Sequence, residues 1–68
     1  MGSLNLKDKV GAELFAGDKV QIVNGAKSGT ILYKIQASRK PFTIEGCLNE
    51  KDEKLGIVVI ETKKVRKI

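Results

Sequence analysis

The chain has no histidine and no tryptophan, and in 68 residues only one cysteine, one proline and three aromatic side chains. Each shortage removes a class of function. Without histidine, no side chain titrates near neutrality at its ordinary pKa, so general acid–base catalysis has no obvious agent. Cys47 has no partner for a disulfide within the chain, and one Cys without His falls short of the about four ligands a structural zinc site needs. Cys47 also has no imidazole to activate it. Between Gly46 and Leu48 in an apolar stretch, it reads as a small buried hydrophobe. Ser3, Ser28 and Ser38 lie in loop-like or tail-like surroundings with no base beside them. Glu50, Asp52 and Glu53 alternate with Lys51 and Lys54 and lack the Asp-x-Asp-x-Asp-Gly spacing of a calcium loop, so they read as a solvated turn. No enzymatic activity, cofactor or metal is expected.

Long apolar runs are also missing. The longest is Ile57–Ile60, far below the ~20 residues of a membrane-spanning helix. The opening "MGSLNLKDKV" has no apolar signal core, and Met1-Gly2-Ser3 carries no signal of its own. A membrane partner is therefore not expected. A small domain without disulfides suits a reducing compartment, so the expected location is cytoplasmic. The scarcity of aromatics leaves the core to Val, Ile and Leu.

What the chain does have is positive charge and short alternating segments. Thirteen Lys and Arg stand against eight Asp and Glu, a net charge of +5. A surplus of this kind is the electrostatic footprint of a polyanion binder. In residues 1–16, Leu6, Val10 and Leu14 recur at helical spacing, with Asn5 as a cap, but Gly11 interrupts them. The expectation is an irregular lead-in with at most one helical turn. From Lys19 the period becomes two, with Val20 and Ile22 on one face. "NGAKSG" then supplies a turn, where Gly25 and Gly29 accept positive φ.

Thr30–Gln36 alternates again, with Ile31, Tyr33 and Ile35 inward and Leu32 and Lys34 outward. "ASRKP" is a loop. "FTIEGCL" is a third strand, with Phe42 and Ile44 inward and Gly46 at a bulge or bend. "LGIVVIE" is apolar on both faces, as a central strand would be, and "TKKVRKI" is a short closing strand. The expected core is Val20, Ile22, Ile31, Tyr33, Ile35, Phe42, Ile44, Val58 and Ile60. Five short strands at close spacing make an all-β fold, a small closed barrel over residues 17–68 behind the lead-in of 1–16.

"GDKVQIVNGAKSGTILYKI", residues 17–35, resembles the KOW motif of SH3-like barrels in certain ribosomal proteins and NusG-type transcription factors. Gly17-Asp18 matches its opening, Val20 and Ile22 its inward positions, Gly25 and Gly29 its loop glycines, Lys27 its loop cation, and Ile31 the start of its return strand. The pattern departs from the family at Leu32, where a later glycine would fall, and in having one loop lysine. The resemblance implies an SH3-like barrel and nucleic-acid binding. The cations that would carry such binding are Lys27, Arg39, Lys40, Lys64 and Arg66, in turns and near the C-terminal end. Few Asn or Gln accompany them to read base edges, so contact would be with the phosphate backbone, with little sequence preference. The alternative is a protein-interaction or assembly module, as in SH3-like barrels of phage particles, with no nucleic-acid partner.

Overall fold

A computed structural model describes residues 2–52, 54 and 56–68. Met1, Glu53 of the acidic turn and Leu55 at the head of the fourth expected strand lie outside the described residues. The chain is built of strands: β1 Ser3–Lys7, β2 Glu13–Phe15, β3 Val20–Ile22, β4 Ile31–Ala37, β5 Thr43–Cys47, β6 Ile57–Glu61 and β7 Val65–Lys67. A single turn of 3-10 helix, Thr62–Lys64, joins β6 to β7. The all-β expectation holds.

The lead-in differs from its expectation. It is an antiparallel hairpin, with Leu6 opposite Leu14 and Lys7 opposite Glu13. Leu6 and Leu14 therefore meet across two strands, where helical spacing had suggested two turns of one helix. Asp8 makes the turn. Its Oδ1 accepts the N–H groups of Val10 (2.9 Å) and Ala12 (2.8 Å), and its own N–H donates to the Ala12 carbonyl at 2.9 Å. Val10, the middle member of that helical spacing, is exposed at the tip.

The other five strands form one antiparallel sheet in the order β6-β5-β4-β3-β7. The chain's closing strand lies beside β3, with Val65 opposite Ile22 and Lys67 opposite Val20. The sheet is open. Among the described residues, β6 pairs with β5 alone and forms one edge, so the central place expected for it is overturned. Its apolar outer side chains, Ile57 and Val59, face solvent.

The core is Leu14, Val20, Ile22, Leu32, Ile35, Ile44, Val58 and Val65, with Leu4, Leu6 and Ile60 packed against it. Three departures from the expected core have local causes. Leu32 lies opposite Val20 and is fully buried, which leaves Ile31 and Tyr33 half-buried on the other side. The ladder between β4 and β5 then slips between Tyr33 and Gln36, at Lys34 with φ +53°. This bulge restores Ile35 to the inside, so Leu32 and Ile35 both point inward although they are three apart. Both lean over Gly46: a Cβ there would lie 2.9 Å from the Leu32 Cβ and 3.0 Å from the Ile35 Cγ2. Phe42 is the largest departure, at 74% exposure. Strand parity would put it inside with Ile44, but its φ of +60° turns the ring outward before β5 begins.

Candidate nucleic-acid interface

Three short segments carry four of the five cations expected to bind, and Arg66 lies on β7. The loop 24–29 leaves β3 and returns to β4. Gly25 (φ +92°) and Gly29 (φ +95°) take the left-handed backbone that the turn requires. The Gly29 N–H closes it on the Ile22 carbonyl at 2.7 Å, leaving Lys27 exposed on the loop.

The loop after β4 carries Arg39 and Lys40, both exposed. It is tied down at its base. The Ser38 N–H donates to the Thr43 carbonyl at 3.1 Å, and the Thr43 hydroxyl donates to the Lys40 carbonyl at 2.6 Å. The third segment, the 3-10 turn with Lys63 and Lys64, bridges the other two. The Thr62 N–H donates to the Phe42 carbonyl (3.0 Å), and the Val23 N–H donates to the Lys64 carbonyl (2.9 Å).

Arg39, Lys40 and Lys64 come together. Lys40 and Lys64 line one surface hollow with Thr43, Val59 and Glu61, and Arg39 and Lys40 line the next with Glu45 and Val59. Lys27 belongs to the loop that starts beside Lys64, one residue past Val23. Arg66 stands apart. It lies opposite Gln21 on the β3–β7 ladder and lines a separate hollow with Gln21, Lys67 and Ile68.

No family model, curated protein or solved structure matches this chain. Its chemistry therefore has to be argued from its own side chains.

The patch contains two carboxylates as well as its cations. Glu61 pairs with Lys63 at 3.1 Å and with Lys64 at 3.9 Å. The hydrogen bond and charge of Lys63, joined by the charge of Lys64, hold its carboxyl below the usual glutamate range against a small opposing effect of burial. Glu45 accepts from the Gln36 amide at 2.7 Å. Among the described residues, Lys27, Arg39, Lys40 and Arg66 hold no ion pair. Their charge is available to a ligand, whereas that of Lys63 and Lys64 is partly neutralised. Lys67, another tail cation, is engaged internally: its Nζ pairs with Asp18 at 3.1 Å and lies 5.1 Å from the Phe15 ring centre.

The Gly17-Asp18 pair has a structural role, and the Gly17 N–H donates to the Ile35 carbonyl at 2.9 Å. The Asp18 Oδ2 accepts the Phe15 N–H at 2.9 Å, and the Asp18 carbonyl accepts the Ile35 N–H at 3.1 Å. The Gly-Asp pair thus fastens the β2–β3 turn to β4. Cys47 is buried, as expected, and its Sγ donates to the Tyr33 carbonyl at 3.2 Å. Among the described residues, no cluster of three or more metal-ligating side chains forms, and no helix is long and apolar enough to cross a membrane.

Sequence reasoning missed Phe42 as a surface residue. The available signal was Pro41 directly before it, which extends the loop by one residue and delays the strand.

Proposed function

We propose that this protein binds nucleic acid through the phosphate backbone, on a small, open SH3-like barrel, with Arg39, Lys40 and Lys64 at the centre of the contact and Lys27 at its flank. The observation that carries this is the meeting of Arg39, Lys40 and Lys64 around Val59, with Arg39 and Lys40 free of any acidic partner among the described residues. The barrel reading is supported by β7 lying beside β3 and by a bulged β4 that serves both the β3 and β5 ladders. Phosphate binding on such a patch is driven by release of counterions, so affinity depends on the number of cations that converge. Backbone contact carries no sequence information, and little preference among sequences is expected.

The test is a fluorescence-anisotropy titration of labelled oligonucleotides across a series of salt concentrations. Replacing Arg39 and Lys40 together by Ala should weaken binding to all sequences alike. It should also lower the slope of log K against log salt by about 2, near one unit for each phosphate no longer engaged. Wild-type protein that shows no binding at low salt ends the proposal, as does an unchanged slope in the double variant.

A second reading, a protein-interaction module, is favoured by one observation: the open edge of β6, with Ile57 and Val59 exposed along it. An apolar edge strand with no lysine, proline or bulge is a template for pairing. Replacing Ile57, which lies outside the cation hollows, by Lys would disrupt an edge partner. It would leave phosphate binding intact or slightly stronger.

A further inference from the structure

Each of the chain's three aromatic rings has a distinct surrounding. Lys67 lies over Phe15 at 5.1 Å and Lys19 over Tyr33 at 5.8 Å, and both rings are half-buried. Phe42 has no cation over its face among the described residues, and no large apolar side chain in that set is more exposed. Its backbone is also in an uncommon state. A φ of +60° is rare for a bulky residue, and it persists only where the surroundings impose it. Here they do so from both sides. Pro41 restricts the chain before the ring, Thr43 is locked to Ser38 and Lys40 after it, and the Phe42 carbonyl is held by the Thr62 N–H at 3.0 Å. The backbone therefore holds the ring outward, open to solvent. Parity would have buried it.

Its neighbours are the proposed phosphate binders. Arg39 and Lys40 precede it in the same loop, and the bond to Thr62 brings it to the turn that carries Lys63 and Lys64. Among the described residues, the carboxylates lining the hollows of those cations are Glu61, already paired with both lysines, and Glu45, already bonded to Gln36.

We propose that Phe42 is a stacking platform for an unpaired base and that the ligand is single-stranded nucleic acid. Backbone phosphates lie on the cations while one base packs on the ring. In a duplex the base faces are covered by their neighbours, so a ring exposed on the protein surface gains nothing. In a single strand every base offers a face, whatever its identity. The inference rests on the phosphate-binding reading and adds the ligand's strandedness.

The test compares a single-stranded oligonucleotide with a duplex of the same length, on wild type and on F42A, F42L and F42W. Circular dichroism checks that each variant is folded, which the exposure of the ring favours. Wild type should prefer the single strand. F42A and F42L should weaken single-strand binding by roughly tenfold, within the range expected for one stacked base, and leave duplex binding and the salt slope unchanged. F42W should keep the affinity. Since the chain has no other tryptophan, its fluorescence should be quenched by the single strand and not by the duplex. If F42A leaves single-strand binding unchanged, or weakens both forms equally, the stacking proposal falls. The phosphate reading then stands or falls separately on the slope of the Arg39 and Lys40 double variant. If wild type binds neither form at low salt, both are overturned.

Discussion

Asp8 shows how one residue can fix two distant parts of a short chain. Besides closing the first hairpin, its Oδ2 accepts the Lys67 N–H at 2.7 Å, which ties the first turn to the last strand across 59 positions. The side chain is buried at 6% exposure. Burial pushes its carboxyl up. The N–H groups of Lys67, Ala12, Val10 and Gly11 together outweigh that and hold it below the ordinary aspartate value of 3.8. A carboxylate whose pKa is lower folded than unfolded stabilises the fold above its unfolded value, and this contribution disappears as pH falls through the folded value. Thermal melts should therefore show stability declining below about pH 4. Replacing Asp8 by Asn should cost about 2 kcal/mol at pH 7, as removal of a buried charged acceptor does, and should shrink the difference between neutral and acid melts. An acid dependence unchanged in the Asn variant would assign it to other carboxylates. Nothing in the sequence marked Asp8 for this role, because its partner is the backbone N–H of a residue at the far end of the chain.

At the scale of elements, the alternating pattern located β3, β4 and β5 to within about one residue because glycines and Pro41 bound them. It failed on orientation within β4. Period two assumes an unbroken pleat, and the bulge at Lys34 changes the parity part-way along. The bulge is dictated from across the ladder, where Gly46 leaves room for Leu32 and Ile35 to approach together, so a single strand's sequence does not announce it. A pair of substitutions tests the observed parity. Leu32→Ala should cost about 3 kcal/mol, as truncation in a packed core does. Ile31→Ala, on the half-buried side, should cost markedly less. The reverse order in denaturant melts would restore the unbroken strand. The place of β6 was misread for a related reason: a run apolar on both faces suits a central strand, yet the same run can border a sheet when one face remains open to solvent. The hairpin of the lead-in was missed because Gly11 broke the helical spacing and left the segment irregular, although Leu6 and Leu14 at i, i+8 also fit a hairpin pair.

For the molecule as a whole, the question is where a surplus of five charges converges. Composition shows the surplus and cannot show its geometry. Of the cations singled out in the sequence, Arg39, Lys40 and Lys64 meet because the 3-10 turn is bonded to Phe42 on one side and Val23 on the other. Those bonds join residues about twenty or more positions apart, beyond the reach of local pattern. Arg66, only two residues past Lys64, is carried to the outer side of the β3–β7 ladder because β7 alternates and Val65 takes the inward position. Its proximity in sequence to Lys64 is thus undone by one strand register. A ligand laid over Arg39, Lys40 and Phe42 need not reach it. Replacing Arg66 by Ala should therefore change the salt slope by well under the ~0.7 expected when a single phosphate of a single strand is released, while the Arg39 and Lys40 pair accounts for about 1.4. Anisotropy titrations of the two variants against the same single-stranded oligonucleotide make the comparison. A drop of the full single-phosphate amount for Arg66 alone would mean that the nucleic acid wraps from the loop face onto the β7 edge, and the binding surface would have to be redrawn around the molecule.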